Sequence, residues 1–358
     1  MSGPTLSIVI PVFNEPEWIR RSVESAAAAA ASSEWSTPEI VVVDDGSTDD
    51  TGSVTDRLTS AVPVRVIHTE NRGRLRARLT GIHAARGEYV LLLDARVLVT
   101  RGLDMLASEV TEGRAVWNAH CEVNIGGNVL AAFWDAMPGI FWSAYYANPR
   151  RLSYGIKDFV KYPKGTTCFL APRVGLLDAY ANFSSKYDDA RDANDDTALI
   201  EHLAREYRVW ISPEFACLYQ PRQSLGRFGP HAFHRGIVFV DAYFRPGNPY
   251  AIAIGGFCGM SLLLLLAALR RPWLIPAALV TSCMAAGTAG LYKRLPPKHV
   301  ASLSLVAPLF VLFYGTGIWA GLGMALRHRV TRHRGSPPSP AETTAKASMF
   351  RARSKVES

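Results

Sequence analysis

Glu39-Ile-Val-Val-Val-Asp-Asp-Gly-Ser-Thr-Asp49 is the stretch on which the reading of the fold turns. Ile40, Val41, Val42 and Val43 are β-branched and consecutive, with no polar residue among them, so they read as a strand buried on both faces. Asp44-Asp45-Gly46 closes the strand with turn-forming residues, and Ser47, Thr48 and Asp49 are good helix caps. Two carboxylates therefore sit at the carboxyl end of a buried strand. They are either part of a capped turn or part of a binding site.

The same grammar extends in both directions. Upstream, Leu6-Ser-Ile-Val-Ile10 is a second buried strand, closed by Pro11, and residues 15–31 are Ala-rich and suited to a helix. Downstream, the pattern predicts a strand over residues 62–68, a helix over 74–85 with Leu75, Leu79 and Ile82 on one face, and a strand over 89–93 ended by Asp94. Strands alternating with helices, with continuous apolar strands, imply an α/β fold: a mostly parallel, Rossmann-like sheet with helices on both faces. Ligands of such sheets bind at the carboxyl ends of the strands, where this chain puts its carboxylates.

Beyond residue 115 the pattern is less regular, with an aromatic-rich segment at 133–146, a polar loop around 161–167 and an acidic cluster over 188–196. Residues 228–244 interleave aromatic and apolar side chains with His231, His234 and Arg235, a composition suited either to a helix in the headgroup region or to a plain surface helix. Residues 250–269 then carry no charge over 20 positions, about the length needed to cross a bilayer. Residues 274–291 and 300–326 are two further candidate spans, and Gly317 and Gly321 in the last form a G-x-x-x-G able to seat a neighbouring helix. The expected division is a catalytic domain over 1–222, with a nucleotide-binding half at about 1–115 and an acceptor half at 116–222. An interfacial linker helix over 223–249, two or three spans over 250–326 and a basic disordered tail over 327–358 follow.

The formal net charge is +8, but residues 327–358 hold eight Lys or Arg against two Glu. A basic stretch after a hydrophobic segment faces anionic headgroups, and no nucleic-acid-binding motif accompanies it, so nucleic acid is not expected as a partner. Cys121, Cys168, Cys217, Cys258 and Cys283 form no C-x-x-C pair, which argues against a zinc site or a disulfide framework. The absence of a signal-like N-terminus predicts a catalytic domain facing the cytoplasm, attached to the inner membrane. Three crossings would put Arg327 outside, and two crossings plus an interfacial segment would keep it inside.

Ile8-Val-Ile-Pro11 with Asn14-Glu15, then Val43-Asp-Asp-Gly-Ser-Thr-Asp49, Asn71-Arg-Gly73 and Gly87-Glu-Tyr-Val-Leu-Leu-Leu-Asp94 together resemble the family 2 glycosyltransferases of the GT-A fold. Trp210-Ile-Ser-Pro213, Tyr219-Gln-Pro-Arg-Gln-Ser224 and Tyr314-Gly-Thr-Gly317 are similar to membrane-attached members that build bacterial exopolysaccharide, as in succinoglycan assembly. The resemblance implies a nucleotide-sugar donor, a lipid-linked or polysaccharide acceptor and an inverting transfer. The alternative is a catalytically silent domain that binds a partner in a membrane complex.

On that resemblance Pro11, Asn14, Glu15, Asp44 and Asp45 line the donor site, with Asp45 accepting from the base. Arg78 contacts the diphosphate, and Arg222, His231 and Arg235 face the leaving group or acceptor. Asp196, with Asp195 beside it, is the expected general base, the alternative being acidic residues that oppose a helix dipole. The family's D-x-D pair, which holds Mg²⁺ or Mn²⁺, reads Asp94-Ala95-Arg96 here, leaving Asp94 as the one metal ligand. An Arg about 5 Å from a divalent ion would be repelled by roughly 7 kcal/mol at an effective dielectric near 20. Either Arg96 turns into another ion pair, or its guanidinium bridges the diphosphate oxygens, the outcome preferred from sequence.

Overall fold

The structure is a computed structural model that describes residues 3–334. The N-terminal half runs β1 (Thr5–Val12), α1 (Pro16–Ala31), β2 (Ser36–Asp44), α2 (Thr51–Asp56), β3 (Val64–His68), α3 (Arg74–Ala84) and β4 (Tyr89–Leu93), the order the sequence predicts with the short α2 added to it. The third strand starts two residues later than expected, after Pro63, which has no N–H to give to a ladder. The next elements are β5 (Val97–Arg101), α4 (Leu103–Thr111), β6 (Val116–Val123), α5 (Val129–Phe141), the single turn α6 (Ser143–Tyr146), β7 (Leu152–Tyr154) and β8 (Cys168–Pro172). After these come α7 (Arg173–Ala181), α8 (Asp195–Glu206) and β9 (Val209–Tyr219).

All nine strands form one sheet in the order β3-β2-β1-β4-β8-β6-β9-β5, with β7 also on β9. The sheet is parallel from β3 to β4, where the sequence reads parallel. It becomes mixed beyond, because β8 runs antiparallel to both β4 and β6, and β5 and β7 run antiparallel to β9. Successive side chains of β1 feed two cores. Ile8 and Ile10 pack with Ile19, Val23 and Ala26 of α1, whereas Val9 packs with Leu75 and Ile82 of α3. Each such fully buried side chain contributes about 1.5–3 kcal/mol. Helix α3 lies so close to the sheet that a Cβ on Gly81 would meet Val9 Cγ1 at 2.3 Å.

The C-terminal part is α9 (Leu225–Tyr243), α10 (Pro249–Ala268), α11 (Leu274–Tyr292) and α12 (Pro297–Arg334). Helices α10, α11 and α12 are each long and apolar enough to cross a membrane. Residues 223–249, read from sequence as an interfacial linker helix, contain α9, and one of its faces is buried: Phe228, Ala232, Gly236 and Val240 are all covered. A Cβ on Gly236 would meet the Tyr314 carbonyl at 2.2 Å, and one on Gly317 would meet the Phe233 carbonyl at 2.0 Å. The expected G-x-x-x-G surface of α12 thus seats α9. The tail expected beyond Gly335 lies outside the described residues.

Candidate active site

The turn after β2 is held from three sides. Asn14 takes a left-handed backbone (φ 52°), a conformation asparagine tolerates, and this lets its backbone N–H reach Ser47 Oγ at 3.0 Å. Its side chain accepts the Thr48 N–H at 2.9 Å and donates to Thr48 Oγ1 at 3.2 Å. Asp44 accepts from Ser47 N–H at 3.0 Å and lies 3.0 Å from His68 Nδ1, whose Nε2 is 2.9 Å from Asp56. These bonds to Asp56 and Asp44 push the imidazole pKa up. Asp45 accepts the backbone N–H groups of Arg72 at 2.9 Å and Gly73 at 2.8 Å, so the Asn71-Arg-Gly73 turn closes directly on it. Burial raises the Asp45 carboxyl pKa, and the two backbone bonds partly counter this.

Arg96 is turned into an ion pair, the other of the two outcomes weighed from sequence and not the preferred one. Its Nη1 donates to Glu15 Oε2 at 2.7 Å, its Nε to the Gln220 carbonyl at 2.8 Å and its Nη2 to the Pro221 carbonyl at 3.2 Å. The guanidinium also lies 5.5 Å from the centre of the Trp18 ring. The three bonds use one N–H on each nitrogen and fix the direction in which the guanidinium points. Glu15 is engaged as well, its second oxygen accepting from Arg222 at 3.2 Å. Arg96 and Glu15 therefore fasten the segment after β9 to the start of α1.

Arg78 requires the second correction. It was expected on the diphosphate, but it is fully buried and serves as a hub for three carboxylates. Its Nη1 donates to Asp195 at 2.9 Å and Asp196 at 2.6 Å, and its Nη2 to Asp94 at 2.7 Å. The reason is geometric: α3 packs against the sheet, so Arg78, one turn after the exposed Arg74, points inward to where β4 ends and α8 begins. Arg74 itself lies 3.6 Å from Asp195 and 3.8 Å from Asp196. Burial alone would raise the Asp196 carboxyl, but Arg74, Arg78 and a hydrogen bond from Thr166 hold it well below the usual carboxylate range. Asn194 caps α8 by accepting the Thr197 N–H, which sets Asp195 and Asp196 in the first turn.

A cationic group borders this cluster. Arg235 Nε donates to His231 Nε2 at 3.3 Å, and its guanidinium lies 5.3 Å from the centre of the Trp134 ring, contributed by α5. Burial lowers the His231 pKa strongly, and the charges of Arg235, Arg222, His234 and Arg74 lower it further. Arg235 thus contacts His231, and Arg222 and Arg74 lie within electrostatic reach of the same imidazole. A separate cluster of Asp178, His202 and Glu206 sits further along α7 and α8, and its His202 and Asp178 pair with each other at 2.7 Å.

Residues 7–131 match the family model described as glycosyl transferase family 2. The chain carries a family 2 glycosyltransferase domain. Its relatives include the glycosyltransferase GlyG of Streptococcus pneumoniae, 33% identical over 30% of this chain and 35% of its own length. The succinoglycan biosynthesis protein ExoO of Rhizobium meliloti is 41% identical over 26% of this chain and 25% of its own. The chain therefore aligns with about a third or less of the length of these curated relatives. The solved mannosyltransferase PcManGT from Pyrobaculum calidifontis, in complex with GDP-Man and Mn²⁺, aligns over 92% of this chain and 87% of its own at 19% identity, with a TM-score of 0.48.

Thr166, Tyr180 and Trp134 were not singled out from the sequence. Tyr180 donates to Asp195 at 3.3 Å, Thr166 lies in the loop that precedes β8, and Trp134 is carried by α5. The i, i+4 relation of Arg74 to Arg78, with the acidic run at 188–196, is the sequence signal of this shared cluster.

Proposed function

We propose that the protein transfers a sugar from a nucleotide-sugar donor to a membrane-borne acceptor, with inversion at the anomeric carbon. The observation that carries this reading is the convergence, through the start of α3, of Asp44 and Asp45 at the end of β2, Asp94 at the end of β4 and Asp195 and Asp196 at the head of α8. Asp45 keeps lone pairs beyond its two backbone bonds and accepts from the base; Pro11 and Asn14 shape the wall beside it. Arg74, Arg222 and Arg235 supply positive charge for the diphosphate as it leaves.

The fold family implies a divalent metal, and the residues here fit one modest site. Asp94 has one oxygen on Arg78, and its other oxygen takes no hydrogen bond among the described residues. Mg²⁺ is commonly held by one or two carboxylates together with substrate phosphates, and Arg96 points elsewhere. Asp94 would hold the ion, which when bound offsets charge on the departing diphosphate.

Asp196 is the group placed to accept a proton from a hydroxyl acceptor, in a site that its Arg partners keep ionised. The same partners make it a weak base. That observation favours a second reading, in which the nucleophile is already an anion, such as a lipid phosphate, and no base is needed. The test uses full-length protein in detergent, screened by thermal shift against nucleotide sugars and assayed for transfer to hydroxyl and phosphate lipids. Stabilisation by one nucleotide class, with Asp196→Asn reducing transfer to a hydroxyl acceptor by roughly 100-fold, supports the first reading. No stabilisation and no transfer with any donor would overturn both.

A further inference from the structure

We propose that α12 lies along the catalytic domain in the membrane–water interface, and that the α10–α11 hairpin alone crosses the bilayer among the described residues. The argument starts from length. Helix α12 has 38 residues, about 57 Å at 1.5 Å per residue, against a hydrocarbon core of about 30 Å. A crossing helix of that length would leave its two ends on opposite sides.

Both ends are instead held by the same folded domain. Near the start, His299 Nε2 lies 2.7 Å from Asp135 of α5, and Ser302 Oγ donates to the Val129 carbonyl at 2.6 Å. In the middle, Gly317 is pressed against the backbone of α9. Near the end, a Cβ on Gly321 would meet Tyr187 Oη at 2.7 Å, and His328 Nδ1 lies 2.6 Å from Asp188. From His299 to His328 is about 44 Å of helix at 1.5 Å per residue. To span the bilayer, α12 would have to carry α9 into hydrocarbon with it, together with His231, His234, Arg235 and Asp241.

The side of α12 turned away from the domain is apolar. Leu305, Leu312, Trp319 and Leu326 are all exposed and recur every seven residues, whereas Leu303, Val306, Ala307, Ile318 and Ala325 are buried. A seven-residue repeat drifts only about 20° per heptad on a straight helix, so the exposed four form one continuous stripe. Such a stripe, on a helix whose opposite face is fixed to a soluble domain, fits lipid at the headgroup boundary.

The hairpin has the opposite character. Helices α10 and α11 have 20 and 19 residues, each close to 30 Å, with few side chains covered by the rest of the chain. Helix α10 leaves the end of α9, and α11 returns to the domain, where Lys293 Nζ donates to Ser143 at 2.9 Å. The far turn carries Arg270, Arg271 and Trp273. Arg294, Lys298 and Arg327 then all fall on the domain's side, an arrangement the positive-inside tendency favours.

The test is thiol labelling of the full-length protein in sealed membranes of known orientation, with the five native cysteines replaced by alanine. Single variants Ser53→Cys, Lys298→Cys, Arg327→Cys and Arg271→Cys are treated with a membrane-impermeant maleimide, and permeabilised membranes report intrinsic reactivity. The expected result is labelling of the first three from one face and of Arg271→Cys from the other. Labelling of Lys298→Cys and Arg327→Cys from opposite faces overturns the interfacial placement, and labelling of Arg271→Cys from the Ser53→Cys face overturns the crossing hairpin. Should the cysteine-free background fail to fold, N- and C-terminal fusions of the native chain to a reporter that fluoresces only in the cytoplasm give the same discrimination. Fluorescence from both termini is expected, and from one terminus alone refutes the proposal.

Discussion

Replacing Arg78 by leucine removes the one fully buried cation of the active-site cluster and leaves its partners in place. Asp94, Asp195 and Asp196 bring three negative charges, offset in the native chain by Arg78 and the half-exposed Arg74. Without Arg78 the local excess of negative charge doubles, from one to two, around a buried Asp195. Removing one member of a buried ion pair costs about 3–5 kcal/mol, because the remaining charge stays desolvated. For a domain of this size each kcal/mol lowers Tm by about 2–4 °C, so the variant should melt about 6–20 °C below the native protein at pH 7. The pH dependence has a definite sign. In the native protein the Asp196 pKa is held below its unfolded value, so its contribution is present above the ordinary carboxylate range and is lost as pH falls through the lowered value. In the variant, burial dominates and favours the protonated form, so the deficit relative to native should shrink as pH drops toward about 4. The assay is thermal denaturation of the detergent-solubilised full chain, followed by tryptophan fluorescence at several pH values. A variant that melts within about 2 °C of native at pH 7, or a deficit that does not change with pH, would refute the hub as a source of stability.

Asp45→Ala should free the Arg72 and Gly73 N–H groups and cost about 1–3 kcal/mol of donor-site integrity, seen as a loss of nucleotide affinity of roughly 5- to 150-fold by calorimetry; unchanged affinity would remove Asp45 from the donor site. Excess chelator should abolish transfer and Mg²⁺ or Mn²⁺ should restore it, since Arg96 does not occupy the metal's place; substantial residual transfer in chelator would reinstate an Arg-based mechanism. Arg96→Ala should reduce activity together with thermal stability, through the released Glu15, and added Mn²⁺ should repair neither. Truncation after Pro249 should give an aggregating fragment, because it exposes Phe228, Ala232 and Gly236 of α9; a monodisperse, nucleotide-binding fragment by size exclusion would show that α9 does not depend on α12.

The N-terminal, parallel half of the sheet was legible because its signals are local. β-branched runs, Pro11 near the end of β1, Asn14 at a left-handed position and the Asp-Asp-Gly turn each carry their own structural consequence, and they agree. The partners of Arg78 and Arg96 were not legible, because they are set by packing across long separations: Arg78 meets Asp195 over 117 positions, and Arg96 meets the Gln220 carbonyl over 124. A sequence states that an arginine stands in a metal-ligand position; only the tertiary fold says which way it turns. The cover of α9 was missed for the same reason, since α12 begins 54 residues after α9 ends.

The Arg96–Glu15 pair also constrains how this chain can diverge. A change of Arg96 to aspartate, which would recreate the two-carboxylate motif, places a second acid where Glu15 already sits almost buried and takes two backbone carbonyls' donors away at once. Changing Glu15 first strands a buried guanidinium instead. Neither single step is neutral, so the route back to the two-carboxylate motif passes through a destabilised intermediate, whichever residue moves first. The two positions are expected to change together, arginine with glutamate, because either change alone leaves a buried group without its partner.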